Sequence, residues 1–347
     1  MKQVQVIKWL IQNFYILLIV SLIFLVVIFW RYSQIAENFQ PEIIEEVVTT
    51  SNINEPIQPI PLINKVNDKK AKLGGKLFSE KLLSHSNQFS CATCHNLSTG
   101  GIDRDINDNG IKGVVGPINI PTIFNSKFNF RQYWDGNAET LADQAYKRVQ
   151  RLPLMGSSWS EAIAKLNKVP EYVQDFAQIY PDGITANNVS EAIATFEETL
   201  TTPNSRFDKF LRGETNAITE AEKTGYMLFK SYGCVSCHQG VNVGGNMFQK
   251  FGVMGTYAVT RGTVTQKDLG RFNVTQNGQD LYVFKVPSLR NVAITPPYFH
   301  DSSAPTLEKA VGVMAKYQLG RELSGPDVAL IIKFLQTLTG EYQGKSL

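Results

Sequence analysis

Wherever the apolar positions of this chain are regular, they are spaced for helices. Between Lys69 and Leu83, Leu73, Leu77 and Phe78 fall on one face, which predicts an amphipathic helix. Thr140–Arg148, Ser158–Val169, Pro170–Ile179, Val189–Leu200 and Leu307–Tyr317 predict further helices. No stretch sustains the two-residue alternation of a half-buried strand. A loop rich in Gly and Asp runs from Gly100 to Gly116, and Pro117 and Pro121 frame an irregular segment that ends near Asn125. The expected fold is mainly α, with long loops.

Two N-terminal stretches depart from this pattern. Trp9 to Trp30 is 22 residues without a charge, against the roughly 20 needed to cross a bilayer core. It predicts one transmembrane helix, with residues 1–31 as an anchor. Lys2 and Lys8 precede it, and Arg31 is followed by Glu37, Glu42, Glu45 and Glu46; this favours an N-terminus inside and a C-terminus outside. A cleaved signal peptide is the competing reading. The apolar run is long for one, and no small-x-small site follows promptly. Residues 32–68 are polar and acidic, with Pro41, Pro56, Pro59 and Pro61. They read as an extended tether or as chain lying on a domain surface.

The second half repeats landmarks of the first, in order. Gly74-x-x-Leu77-Phe78 is answered by Gly225-x-x-Leu228-Phe229, and Pro121-Thr122-Ile123-Phe124-Asn125 by Pro287-Ser288-Leu289-Arg290-Asn291. Tyr133-Trp134-Asp135, with Thr140-Leu141 and Ala145, is answered by Tyr298-Phe299-His300-Asp301, with Thr306-Leu307 and Ala310. This predicts two related modules, 69–205 and 206–347, joined near residues 201–218.

Composition allows a packed core, since 43% of the 347 residues are hydrophobic. The net charge of +3 comes with no basic run, so a nucleic-acid partner is not expected. Cysteine usage narrows the chemistry further. All four cysteines and two of the four histidines lie in Cys91-Ala92-Thr93-Cys94-His95 and Cys234-Val235-Ser236-Cys237-His238. C-x-x-C-H is the attachment pattern of a c-type haem: the thiols form thioethers, and the adjacent His becomes the proximal iron ligand. A Cys₄ zinc site would bring the pairs closer than roughly 140 residues and would not need the histidines. A redox C-x-x-C pair would need a βαβ context that is missing. Two covalent haems are expected, each repeat carrying one. Such attachment occurs outside the bacterial cytoplasm, which agrees with the predicted topology.

The sixth iron position separates electron carriage from ligand binding. In the second module Met314 lies four residues after Ala310 on the predicted helix, so His238/Met314 ligation would close that iron. Met247 and Met254, in a Gly-rich loop, are rivals. Counting from Ala145 puts Val149 opposite Met314, and Val149 cannot ligate iron. His300 is counted opposite Asp135, and His85 lies six residues before Cys91. Unless His85 reaches over, the first haem is open. One closed and one open haem is the layout of an enzyme that reduces a small oxidant with electrons delivered singly.

Over most of residues 70–340 the chain resembles the bacterial dihaem cytochrome c peroxidase family, MauG-like proteins included. The stretches that carry the likeness are LGGKLFSEKLL, SCATCHNLSTGG, GPINIPTIFN, QYWDGNAETLADQA, GCVSCHQGVNVGGNMFQKFGVMG, KVPSLRNVAITPPYFHDSSAPTLEKAV and MAKYQLG. The resemblance implies two cytochrome c-like domains. The first is peroxidatic, with His95 as proximal ligand, and the second transfers electrons through His238 and Met314. It implies Trp134 as an electron relay between the haems and Gln144 on the distal side of the first. It also implies a calcium ion bound by the Asn119 side chain and the carbonyls of Thr295 and Pro297. Hydrogen peroxide as substrate, a small cytochrome or cupredoxin as donor, and a homodimer follow as further expectations, in a periplasm-facing, membrane-anchored protein.

The sequence departs from that pattern at two places. Ile111 stands where many members carry a His that caps the resting peroxidatic haem, and Leu154, in Pro153-Leu154-Met155-Gly156, stands where the family has a distal Glu. Cleaving the O–O bond calls for a proton on the leaving oxygen. Glu139, Asp143, Arg148 and Arg151 are the nearby candidates to stand in. Two other functions remain beside the peroxidase: MauG-like oxidation of a partner protein, and a non-catalytic electron-transfer or ligand-sensing cytochrome.

Overall fold

The computed structural model describes Trp30 and residues 55–102, 118–152 and 155–347. Apart from Trp30, these residues belong to one compact unit, Thr49–Leu347. The expected anchor, save Trp30, lies outside the described residues, as do Ile111 and Leu154. Among the described residues no helix is long and apolar enough to cross a membrane.

The unit is mainly helical. Its principal helices are α1 (Asp68–Phe78), α2 (Leu141–Gln150), α3 (Trp159–Leu166), α4 (Pro170–Ala177), α5 (Ala186–Thr199), α6 (Arg206–Leu211), α7 (Glu220–Ser231), α8 (Leu307–Val313) and α9 (Gly325–Gln336). Their starts are chemically defined. Thr140, Ser158, Thr185, Ser205, Thr219, Thr306 and Ser324 each accept the backbone N–H three residues on, satisfying a donor that the first turn leaves unpaired. The helix predicted to reach Leu83 ends at Phe78, and Lys81–Leu83 is a separate 3₁₀ turn. The helix predicted over Leu307–Tyr317 is α-helical only to Val313, and Met314–Gln318 is a π-turn. Two short strands, β1 (Phe248–Lys250) and β2 (Val283–Lys285), pair antiparallel with Phe248 opposite Lys285.

Two hydrophobic clusters form. One is drawn from Leu73 through Leu200, around α1, α2, α3 and α5. The other is drawn from Phe207 through Leu338, with Ile57 joining from the N-terminal side. In each, an early helix crosses a late one at a glycine. A Cβ on Gly74 would lie 1.9 Å from the Ala192 carbonyl oxygen, and one on Gly225 2.0 Å from that of Leu330. Within the stretch read as tether or surface chain, Ile57 joins the second cluster, while the Asn64 amide donates to Glu198 O. Ile57 and Ile60 are fully buried; Ile60 donates its N–H to Asp208, and Gln58 accepts from Arg290.

The repeat has a fixed register. Asn125 and Asn291 both take positive φ, and each precedes a 3₁₀ turn, Ser126–Phe128 or Val292–Ile294. Gln132 bridges Ala138 as Tyr298 bridges Ala304. Asp135 accepts the N–H of Asn137 as Asp301 accepts that of Ser303. Thr140 caps α2 as Thr306 caps α8. Every pair is 166 residues apart.

That register corrects two sequence alignments. His300 answers Trp134, not Asp135. Met314 answers Arg148, not Val149, which is 2% exposed in the first core cluster. Aligning the identical residues Ala145 and Ala310 shifted the count by one position. The bridges and helix caps set it instead.

Candidate haem and active site

Each C-x-x-C-H lies on a short turn that follows the helix carrying the crossing glycine of its repeat, α1 or α7. Cys91–Cys94 is a single helical turn, started where Ser90 donates its N–H to the Thr93 hydroxyl at 2.9 Å. Cys234–Ser236 is a 3₁₀ turn entered through Gly233 at φ +89°. No cysteine is in a disulfide. Burial pushes the Cys91 thiol up to about 12 and the Cys234 thiol to about 11. Both thiols are therefore held in the neutral form at pH 7.

Burial also lowers His95 and His238 to about 4, so each imidazole is neutral with a lone pair to donate. His95 Nδ1 sits 3.1 Å from the Gly101 carbonyl, which fixes the ring and leaves Nε2 for a metal. His238 Nδ1 is buried without a full hydrogen bond, although the carbonyls of Val243 and Pro287 approach it. Gly244 allows that approach: at φ +116°, a Cβ there would lie 2.4 Å from Pro287 O and 3.2 Å from His238 Nδ1. In each repeat, thiols beside a neutral imidazole with a lone pair to donate fit a covalently attached haem.

The sixth-ligand candidates fall out differently. Met314 is partly buried at the junction of α8 and the π-turn. Met254 is 63% exposed, and Met247 is partly buried. His85 is at the surface: its side chain is 74% exposed and meets Glu161 at 3.0 Å. His85 and Lys165 hold the Glu161 carboxyl down to about 2.

The residues near Gln144 also sort themselves. Gln144 is partly buried, and its carbonyl accepts the Tyr133 hydroxyl at 3.2 Å. Glu139 pairs with Arg131 and Asp143 with Lys147. Arg151 lies 5.5 Å from the Tyr133 ring centroid. Arg148 pairs with no carboxylate among the described residues, yet its charge acts on Cys91, His95 and Tyr133.

Trp134 and His300, related by the repeat, meet each other. Their rings stack with centroids 6.1 Å apart at 20°, and Phe284 touches both, at 5.7 and 4.6 Å. Each follows an aromatic residue at positive φ, Tyr133 at +65° and Phe299 at +70°, a conformation bulky residues adopt only under constraint. His300 contacts Asp268 at 2.9 Å, and Arg261 pairs with both Asp268 and Asp301. Burial opposes ionisation of Asp268, but hydrogen bonds from Thr265, Arg261 and His300 outweigh it and hold the carboxyl well below its usual range. Asp268, His300 and Asp301 place ligand atoms within 4.8 Å of one another, and the Arg261 guanidinium already neutralises that cluster. Nothing in the sequence pattern marked this network, because its two halves, Arg261 with Asp268 and His300 with Asp301, lie more than thirty positions apart.

Of the expected calcium ligands, Asn119 and Pro297 are brought together. The Asn119 amide donates to the carbonyls of Pro297 at 2.7 Å and Phe299 at 3.0 Å, and its N–H donates to His300 O at 2.9 Å. Thr295 turns its hydroxyl toward Asn291 O and Val292 O.

Residues 68–216 match the family model described as di-haem cytochrome c peroxidase. The chain is 45% identical to the cytochrome c551 peroxidase of Nitrosomonas europaea, covering 83% of this chain and 85% of that one. The chain belongs to the dihaem cytochrome c peroxidase family. It is also 46% identical to the cytochrome c peroxidase Ccp of Escherichia coli K12 over 83% of its own length, but spans only 62% of that relative. The crystal structure of a MauG-like protein associated with microbial copper homeostasis superposes with a TM-score of 0.68 at 27% identity, covering 83% of this chain and 94% of that one. Family membership implies two c-type haems, matching the two neutral thiol-imidazole sites.

Proposed function

We propose that the protein reduces hydrogen peroxide to water, with electrons supplied one at a time by a small redox protein. The observation that carries this reading is the pair Met314 and Arg148. At one repeat position the second module offers a thioether that can close an iron, and the first offers a guanidinium that cannot ligate one. His85, exposed and paired with Glu161, leaves the first module's distal side to small molecules.

In this reading Cys91, Cys94 and His95 hold the peroxidatic haem; Cys234, Cys237, His238 and Met314 hold the electron-accepting one. Bound there, the haems supply redox-active iron, reactive in the first module and electron-storing in the second. The protein's own residues do the rest. The Gly101 carbonyl orients His95. The Tyr133–Gln144 contact fixes the start of α2 beside the open face. The Trp134–His300–Phe284 stack supplies a π-rich bridge for electron passage. A calcium ion held by Asn119, Thr295 and Pro297, and a periplasmic, anchored location, belong to the same proposal. The location is supported by the charge-free run Trp9–Trp30 and by where haem attachment takes place.

Replacement of the acid by Leu154 favours a second reading, a dihaem cytochrome that binds small ligands without turnover. Stopped-flow mixing of peroxide with the dihaem protein, oxidised and half-reduced, separates the two. Fast spectral change at one haem in both forms, with donor-dependent turnover, is the expected result. Carbon monoxide binding at one haem with no peroxide response in either form would replace the peroxidase reading with the second.

A further inference from the structure

Arg148 is the residue that the repeat register brings to the sixth-ligand position of the first module. It is half-buried and without a carboxylate partner among the described residues. Elsewhere in the molecule a guanidinium withdrawn from water meets carboxylates: Arg261 pairs with Asp268 and Asp301, and the fully buried Arg290 with Asp208. A guanidinium withdrawn from water and left unmatched is unfavourable unless an anion meets it. Its charge already reaches the imidazole and the thiol that mark the haem site, His95 and Cys91. The neighbouring charges are committed elsewhere: Asp143 to Lys147, Glu139 to Arg131, Arg151 to the Tyr133 ring.

We propose that Arg148 is a catalytic residue of the open face, which binds peroxide and stabilises the oxygen that leaves as hydroxide. The inference rests on the peroxidase reading and answers its weak point, the missing acid. The O–O bond breaks with its electron pair passing to the outer oxygen, which leaves as hydroxide and takes a proton from water-borne acid to become water. Over the cycle two electrons from the donor and two protons convert one peroxide to two waters. Arg148 keeps its proton throughout. It works by charge, as fixed donors do for other developing anions, where a carboxylic acid would work by proton transfer. A leucine at position 154 is then tolerable, because the leaving oxygen is stabilised before it is protonated.

Anion binding tests this independently of turnover. The ferric dihaem protein is titrated with fluoride, and separately with neutral imidazole, and followed by its optical spectrum. Arg148→Leu should weaken fluoride roughly ten- to hundredfold, the worth of a charge-assisted hydrogen bond. Imidazole affinity should hold or rise, and Arg148→Lys should keep most of the fluoride affinity. Peroxide kcat/KM should fall in parallel with fluoride. Unchanged fluoride affinity in Arg148→Leu overturns the proposal. So does equal loss of fluoride and imidazole, which would mean that Arg148 holds the pocket or a haem propionate. If Arg148→Leu fails to take up haem, Arg148→Gln is read against Arg148→Lys by the same criteria. Arg148-dependent fluoride binding without any wild-type turnover would keep the anion site and remove the peroxidase reading. Turnover that survives in Arg148→Leu with full fluoride affinity would do the reverse.

Discussion

At the scale of single residues, the two modules diverge where buried chemistry differs. Glu197, on α5, is 4% exposed in the first core, while the second core closes the same crossing with Leu335. Burial alone pushes the Glu197 carboxyl up to about 8. The consequence for stability has a definite sign. Below the ordinary value of 4.5 both folded and unfolded chains hold the proton. Between 4.5 and about 8 only the folded chain does, so stability falls as pH rises, and above about 8 the loss is complete. The loss is on the order of a few kcal/mol. Denaturant unfolding of the dihaem protein at pH 5 and pH 8 should show it in the wild type and much less of it in Glu197→Leu. Parallel pH profiles for the two proteins would show that Glu197 is not buried uncharged.

At the scale of elements, the helix crossings are set by single glycines. The Gly74 site leaves 1.9 Å between a new Cβ and the Ala192 carbonyl, and 2.8 Å to Phe196 Cβ; Gly225 leaves 2.0 and 3.1 Å to Leu330 O and Phe334 Cβ. These are backbone and core atoms with no room to retreat, so the helices must move apart. Gly74→Ala or Gly225→Ala should cost roughly 2 kcal/mol or more, as overpacking does, measured as a shift of the unfolding midpoint. A neutral result would mean that the crossings are looser than the geometry requires. The sequence showed these glycines and the Leu-Phe pairs after them, because helix faces repeat at fixed spacing. It showed the starts of α2 and α8 through Thr140 and Thr306. It did not show the true partner of Met314, because identity at Ala145 and Ala310 outweighed the caps by one residue. Nor did it show the π-turn at Met314, which depends on local backbone geometry and has no residue signature. The haem motifs were legible because covalent attachment demands fixed residues. The Asp268–Arg261–Asp301–His300 network was not, because only folding brings it together.

At the scale of the whole molecule, the repeat places related residues against each other where its two halves meet. Asn125 and Asn291 both donate to the one Thr202 hydroxyl, at 2.7 and 3.1 Å. Trp134 stacks on His300 in the same way, each held by a strained aromatic neighbour. One copy has an indole, which can carry an electron. The other has an imidazole anchored by Asp268, and burial, against the pull of Asp268, holds His300 below the usual imidazole range and so disfavours its charged form. If the stack is the route between the haems, shortening its π-system should slow electron passage and leave each haem as it was. In the half-reduced protein, Trp134→Leu should slow the peroxide-driven oxidation of the electron-storing haem by roughly tenfold or more, about 1.4 kcal/mol of barrier. Trp134→Phe should fall between. Both reduction potentials and the fluoride affinity of the ferric protein should stay at wild-type values, since Trp134 is assigned to neither iron. A shifted potential would make Trp134 a packing residue whose loss disturbs a haem. An unchanged rate in Trp134→Leu would send the electron by another path, and Phe284, which touches both rings and sits beside Lys285 on β2, would be the next place to look.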